Sequence, residues 1–135
     1  MRRTRQRQAV RNAFVQAERP LSPAECLDLA AHDVPGLGIA TVYRHIKQLA
    51  DDGWLVTVAL PGAANRYEIA GLEHHHHFHC SECDGVFDVN ACPREIQDMV
   101  PRGFQLESHE IILYGRCPSC RLGTSAGRPE PPKKR

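Results

Sequence analysis

The sequence predicts an α+β protein made of two small domains: a helical amino-terminal half that ends in a hairpin, and a small α/β second half. Two observations support this division. Apolar residues recur at helical spacing in three segments before residue 52. Two Cys-x-x-Cys pairs, Cys80/Cys83 and Cys117/Cys120, lie in the histidine-rich second half. We expect domains over residues 1–70 and 71–121, then a disordered basic tail over 122–135, which has almost no hydrophobic residue.

Length and composition exclude several classes of protein. The chain has 135 residues, 41% of them hydrophobic, so neither domain builds a generous core and a bound metal would help folding. No segment approaches the roughly 20 apolar residues of a membrane span, and the first arginines are not followed by the apolar stretch of a secretory signal. We therefore expect no membrane association and a cytoplasmic location, where paired cysteines usually bind metal.

The first half contains three predicted helices. The first carries apolar residues at helical spacing after Thr4, which is a suitable amino-terminal cap. The second begins at the Ser-Pro-Ala-Glu sequence of residues 22–25, a capping box with proline at the first helical position. The third begins near Ile39 and ends at Asp52-Gly53.

A predicted hairpin follows the third helix. Its strands are Trp54–Leu60 and Asn65–Ile69, and the turn between them contains proline and glycine. Three helices followed by a hairpin predict a winged helix-turn-helix.

The third helix is the predicted reader of DNA. Its outward residues lie opposite an apolar stripe of valine, isoleucine and leucine. Arginine forks onto guanine or phosphate, glutamine bonds a base edge, and tyrosine packs on a thymine methyl. The alternative is an ordinary amphipathic helix with a solvated face. The candidate DNA-binding residues on this helix are Thr41, Tyr43, Arg44 and Gln48.

The near-neutral net charge of +1 conceals a strongly basic amino terminus. Residues 1–19 hold six arginines and one glutamate, a local charge of +5. A basic segment of this kind attracts the phosphates of nucleic acid. Arg7, within this segment, is a candidate phosphate contact.

The two cysteine pairs predict a metal site in the second half. Two residues between cysteines let both thiolates face one ion, and two such pairs supply the four ligands of a closed zinc site. The alternative is a pair of redox dithiols or disulfides. Between the pairs we expect a short helix around Pro93–Val100 and a strand over Phe104–Tyr114.

Several short motifs occur in a fixed order along the chain, and together they are typical of one protein family. They are Thr4-x-x-Arg7, the Gly-Ile-Ala-Thr-Val-Tyr-Arg sequence of residues 38–44, Asp52-Gly53, Arg66-Tyr67-Glu68, the histidine run into Cys80-x-x-Cys83, and His109 before Cys117-x-x-Cys120. In this combination, residues 4–120 resemble the ferric uptake regulator (Fur) family of bacterial metal-responsive repressors. The resemblance implies a homodimer with a winged-helix domain and an α/β dimerisation domain. It also implies binding of double-stranded DNA at an AT-rich inverted repeat when a regulatory metal is loaded.

The resemblance implies three metal sites. The structural Zn²⁺ ligands would be Cys80, Cys83, Cys117 and Cys120. The regulatory site at the hinge between domains, for Fe²⁺, Mn²⁺ or Zn²⁺, would use Glu68, His75, His77 and Asp88. A second site within the dimerisation domain would use His74, His76, Glu95 and His109. Because alternate strand residues face opposite ways, the two histidine pairs are expected on opposite faces of one strand.

Three positions bear on which branch of the family the chain resembles. Pro20 stands where many members carry a histidine ligand before the second helix. Ile69 and Ala70 lie where zinc-sensing members carry a cysteine. Asp88 is similar to the carboxylate of peroxide-sensing members. The missing cysteine argues against a zinc-sensing member and Asp88 favours a peroxide-sensing one; both are kept as alternatives within the family.

Two functions from other classes compete with a repressor. The histidines and carboxylates resemble those of a metal-dependent hydrolase, although the chain has no His-Glu-x-x-His helix and we expect no enzyme. The run His74–His79 also suits a metal buffer. Of the remaining cysteines, Cys26 is interpreted as a small core residue. Cys92 precedes Pro93 at a predicted helix start; a reactive thiol there is the less favoured interpretation.

Overall fold

The computed structural model describes residues 2–123 and divides into two compact units between Leu72 and Glu73. We call them the amino-terminal unit and the carboxy-terminal unit. Most of the predicted basic tail, from position 124 onward, lies outside the described residues. Within residues 2–123, the helices are all too short or too polar to cross a membrane.

Three helices form the body of the amino-terminal unit: α1 (Arg2–Ala17), α2 (Pro23–Ala30) and α3 (Ile39–Asp51). The capping box predicted for α2 is confirmed, because Ser22 Oγ accepts from the Glu25 amide and the Glu25 carboxylate accepts from the Ser22 amide. α1 begins before Thr4, so Thr4 lies inside the helix and is not its cap. α3 ends as predicted, with Gly53 at φ +84°, a left-handed conformation that glycine adopts without strain.

The amino-terminal core lies between these helices. α1 contributes Val10 and Phe14, and α3 contributes Ile46 and Leu49, all of them buried. Cys26 of α2 is also fully buried there, which confirms its interpretation as a core residue, and burial raises the pKa of its thiol to about 12. The buried stripe of α3 fixes the orientation of that helix and therefore decides which of its residues face solvent.

The predicted hairpin is present, with strands β1 (Leu55–Val58) and β2 (Arg66–Ile69) paired antiparallel. Leu21 forms an isolated antiparallel β-bridge with Tyr67 of β2. Its amide donates to the Tyr67 carbonyl at 2.8 Å, and the Tyr67 amide donates to the Leu21 carbonyl at 2.9 Å. The segment before α2 therefore holds the hairpin against the helices.

The carboxy-terminal unit contains a three-stranded mixed sheet. Its strands are β3 (His76–Cys80), β4 (Val86–Val89) and β5 (Ile112–Gly115), in the order β4-β3-β5. β3 pairs antiparallel with β4 and parallel with β5. A 3₁₀ helix (Arg94–Met99) lies between β4 and β5, and the short helix α4 (Pro118–Arg121) follows β5.

Two predicted elements of this unit are shorter than expected. The helix expected around Pro93–Val100 is a six-residue 3₁₀ helix. The strand expected over Phe104–Tyr114 is confined to β5, and the residues before it are mostly exposed. A strand requires a partner for its backbone hydrogen bonds, and only the last few residues of this segment reach β3.

Candidate metal centres and nucleic-acid interface

Four cysteines from two chain segments meet in the carboxy-terminal unit. Cys80 ends β3, Cys83 lies in the turn before β4, Cys117 follows β5 and Cys120 belongs to α4. The Sγ atoms of Cys80 and Cys120 are 3.7 Å apart, and those of Cys83 and Cys117 are 3.8 Å apart. Around a tetrahedral zinc with Zn–S bonds of about 2.3 Å, thiolates lie about 3.8 Å from one another. The cluster therefore has the dimensions of a four-thiolate zinc site.

The electrostatics of this cluster favour a bound cation. The amides of Cys83 and Cys117 approach the Cys80 sulfur at 3.4 and 3.3 Å. Burial by itself raises the pKa of Cys80, but backbone amide donors outweigh it and lower that pKa to about 6. Burial, and then the neighbouring Cys80 thiolate, raises the pKa of Cys83. A dication is needed to compensate four thiolates together.

Backbone geometry holds the two cysteine-bearing turns together. Asp84 adopts a left-handed conformation at φ 68°, and its amide donates to the Cys80 carbonyl at 2.9 Å. The Ser81 amide donates to the Gly115 carbonyl at 2.7 Å. A side chain at Gly115 would come within 2.9 Å of the Phe78 ring, so glycine is required for this close approach. These hydrogen bonds hold the two segments close enough for Cys83 and Cys117 to reach the same metal site.

A second cluster combines three imidazoles with a thiol. His74 Nε2 lies 3.2 Å from His109 Nε2, and Cys92 Sγ lies 3.2 Å from the same His109 nitrogen. Cys92 Sγ is also 3.3 Å from Nε2 of His76. Burial, and then the neighbouring His74 and His109, lowers the pKa of His76. A neutral imidazole is the form that binds a metal.

The composition of this second cluster differs from the predicted ligand set. His74, His76 and His109 lie together as predicted, but the fourth donor is Cys92, and Glu95 does not belong to the cluster. Glu95 lies exposed on the 3₁₀ helix. Cys92 lies three residues earlier, in the segment that enters that helix. The signal for Cys92 was weak: a cysteine outside both Cys-x-x-Cys motifs, immediately before a proline.

A third group lies in the carboxy-terminal unit at β3 and β4. Asp88 Oδ1 is 3.3 Å from Nε2 of His75 and 3.5 Å from Nε2 of His77. His77 is opposite Asp88 in the antiparallel register. The His75 Nδ1 atom lies 2.8 Å from the Glu73 carbonyl, which holds the ring with Nε2 towards Asp88. Two imidazoles and a carboxylate suit a divalent transition metal.

The two histidine pairs occupy different clusters, as predicted, although β3 begins at His76 and His74 and His75 lie just before it. His75 and His77 meet Asp88, and His74 and His76 meet Cys92 and His109. Glu68, the fourth residue predicted for the regulatory site, is on β2 in the amino-terminal unit, where its side chain is buried.

The outward face of α3 carries polar and aromatic side chains. Tyr43 is 55% exposed, and Arg44 and Gln48 are exposed beside it, with Thr41 half-buried. His45 on the same helix faces inward and is 1% exposed. Burial, and then the nearby Arg44, lowers the pKa of His45, so it is a packed neutral side chain and not a phosphate contact.

Arg7 has a partner within the amino-terminal unit. Its guanidinium donates to the Asp52 carboxylate at 3.0 Å, which connects α1 to the end of α3. The Arg7 side chain remains 35% exposed, so part of it is available to a phosphate. The ion pair gives Arg7 a positioning role that the sequence did not indicate.

A sequence profile of the ferric uptake regulator family matches residues 1–114. Among relatives, the ferric uptake regulation protein of Bordetella parapertussis is 34% identical over 90 residues, which are 64% of this chain and 65% of that protein. That of Campylobacter jejuni is 28% identical over 122 residues, 87% of this chain and 78% of that protein. The matched region thus spans somewhat less than two thirds of the Bordetella relative.

Solved structures share the fold. A zinc-bound manganese uptake regulator superposes with a TM-score of 0.71 at 26% identity, over 83% of this chain and 87% of that one. The ferric uptake regulator of Helicobacter pylori superposes with a TM-score of 0.63 at 25% identity, over 86% of this chain and 79% of that one. The latter is described as having three functional metal-binding sites.

Proposed function

Because this chain belongs to the ferric uptake regulator family, whose members are metal-responsive transcription regulators and not enzymes, we propose that it is a metal-dependent DNA-binding repressor. It acts as a homodimer on an AT-rich inverted repeat. The observation that carries this proposal is the outward face of α3, where Tyr43, Arg44 and Gln48 are exposed opposite a buried stripe. This is the arrangement of a recognition helix, with base-reading side chains outward and core residues inward.

The regulatory metal, Fe²⁺, Mn²⁺ or Zn²⁺, is proposed to bind His75, His77 and Asp88 with Glu68 as a fourth ligand. The support is that the imidazoles of His75 and His77 both approach Asp88 Oδ1. Glu68 is included because it belongs to the family motif. A metal with a ligand from each domain would fix the angle between the domains and select one dimer conformation. In that conformation the two recognition helices match major grooves about 34 Å apart.

The test is operator binding by the full chain with its structural zinc in place. Regulatory metal is first removed with a mild chelator, and Fe(II), Mn(II) and Zn(II) are then titrated separately. The DNA is an AT-rich inverted repeat, with a shuffled duplex of equal composition as control. We expect at least one metal to raise affinity for the repeat by roughly 5- to 150-fold, the usual range of allosteric coupling. Equal affinity for the repeat with and without metal would refute the proposal.

Replacing Arg44 with alanine is expected to reduce discrimination between operator and shuffled DNA. A bidentate contact to guanine contributes about 1–3 kcal/mol of base discrimination, so we expect the ratio of the two affinities to fall by roughly 5- to 150-fold for each half-site of the repeat. Fluorescence anisotropy on both duplexes measures this ratio. Loss of affinity by the same factor on both DNAs would indicate that Arg44 contacts only phosphate.

Replacing Arg7 with glutamine is expected to weaken binding to every duplex and to reduce the salt slope by about 1 per protomer, as loss of a phosphate contact does. The matched control is Asp52→Asn, which removes the same 3.0 Å ion pair but leaves the arginine free to contact DNA. We expect Asp52→Asn to retain the parent salt slope. If both variants reduce the slope equally, Arg7 acts only by positioning α3.

A further inference from the structure

One thiol outside the four-cysteine cluster faces three imidazoles. Cys92 Sγ lies 3.3 Å from His76 Nε2 and 3.2 Å from His109 Nε2. His74 Nε2 lies 3.2 Å from the same nitrogen of His109. The four donor atoms all lie within 4.8 Å of one another. A thiol so placed is a fourth member of the cluster and not an isolated cysteine.

These separations approach those of a coordination sphere. With Zn–N bonds of about 2.0–2.1 Å and a Zn–S bond of about 2.3 Å, tetrahedral ligands lie about 3.3 Å apart for two nitrogens and about 3.6 Å apart for nitrogen and sulfur. Three of the six separations, 3.2, 3.2 and 3.3 Å, are within a few tenths of an ångström of these values, and all six are at most 4.8 Å. A side-chain adjustment of about 1 Å or less therefore admits one tetrahedral ion.

The surroundings orient the donors towards a common point. His76 is 2% exposed, so the surrounding packing holds its ring with Nε2 3.3 Å from Cys92 Sγ. The Ile111 amide lies 3.2 Å from the other ring nitrogen, Nδ1; coordination through Nε2 places the ring proton there and displaces this contact, so packing alone orients the bound ring. His109 reaches the cluster because it lies three residues before β5, which pairs in parallel with β3.

We propose that Cys92, and not Glu95, completes this second metal site, giving it three imidazole ligands and one thiolate. The thiolate changes the class of metal that the site takes. A sulfur ligand favours zinc over Fe(II) and Mn(II), which prefer oxygen-rich sites. The chain then holds a zinc-type site in addition to its four-cysteine centre, independent of the regulatory site proposed above.

Cobalt titration of the zinc-loaded full chain tests this ligand set. Cobalt bound to a thiolate gives a near-ultraviolet charge-transfer band, which cobalt bound only to nitrogen and oxygen does not give. With zinc retained in the four-cysteine cluster, as metal analysis before and after titration verifies, we expect this band to saturate at the intensity of one thiolate-bound cobalt per chain. Cobalt at the regulatory site, which has no thiolate, does not contribute to it. Zinc is expected to abolish the band at equimolar amounts, and a roughly 100-fold excess of Mn(II) is expected to leave it.

Two variants separate the observed ligand set from the predicted one. Cys92→Ser is expected to abolish the charge-transfer band and to weaken cobalt binding at this site by at least roughly 10- to 100-fold. Glu95→Gln, three residues away, is expected to retain both the band and the affinity. A band that persists in Cys92→Ser, or metal binding that is lost only in Glu95→Gln, overturns the proposal.

A chemical measurement provides a second test that does not depend on a substitution. Cys92 is exposed and Cys26 is buried, so iodoacetamide is expected to alkylate Cys92 first in zinc-loaded protein without second-site metal. Addition of one equivalent of cobalt is expected to slow that alkylation at least roughly tenfold, because coordination occupies the sulfur lone pair. Unchanged alkylation at saturating cobalt contradicts thiolate ligation. Neither the cobalt titration nor the alkylation measurement depends on operator binding. A negative result in either would therefore reject Cys92 as a ligand without rejecting the proposed repressor function.

Discussion

A Cys117→Ser protein is expected to lose its structural zinc and, with it, the folded carboxy-terminal unit and the dimer. Cys117 is buried, and its sulfur lies 3.8 Å from that of Cys83. Its amide also donates to the Cys80 sulfur. In zinc-finger peptides metal binding contributes on the order of 10–16 kcal/mol to folding, as much as the total stability of about 5–15 kcal/mol of a typical domain. Loss of one thiolate removes much of that contribution.

Zinc content by atomic emission and mass by light scattering measure this prediction. We expect less than one zinc per chain and a mass below that of the dimer. The matched control is Cys26→Ala, which removes another buried cysteine, in the amino-terminal core. That variant is expected to retain zinc and dimer, with only a modest loss of stability. If Cys117→Ser remains a fully zinc-loaded dimer, the four-cysteine centre is not structural.

His77→Ala is expected to leave a folded, zinc-loaded dimer whose operator affinity no longer increases when regulatory metal is added. Nε2 of His77 lies 3.5 Å from the Asp88 carboxylate that His75 also approaches. The substitution removes one imidazole from the proposed regulatory set and leaves the four-cysteine cluster intact. We expect the roughly 5- to 150-fold gain in affinity that metal normally provides to fall to about one.

The control for His77→Ala is the same substitution at a neighbouring histidine. His74 belongs to the cluster with His76, Cys92 and His109, which is separate from the group of His75, His77 and Asp88. His74→Ala is therefore expected to have a milder effect and to retain most of the metal response. Anisotropy titrations of both variants with Fe(II), Mn(II) and Zn(II) provide the comparison. A parent-like response in His77→Ala would exclude this residue as a ligand of the regulatory metal.

The sequence by itself determined the features that depend on neighbouring residues. The Ser22–Glu25 capping box, the apolar stripe of α3 and the glycine that ends that helix each act within one or two turns, and all were predicted correctly. The same holds for the separation of His75 and His77 from His74 and His76, because side-chain alternation is a local property of a strand. The four cysteines were equally evident, since each Cys-x-x-Cys pair is a local metal-binding turn.

Only the tertiary structure decided which distant residues meet. Arg7 pairs with Asp52, 45 residues later in the chain, and no local pattern indicates that contact. The choice of Cys92 over Glu95 depends on how the segment after β4 crosses back before β5 pairs with β3. Both residues have metal-binding side chains and lie within one turn of each other, so spacing favours neither. The backbone path brings the Cys92 thiol to His109 and leaves the Glu95 carboxylate exposed. This path is set by contacts between residues far apart in the chain, which local spacing does not encode.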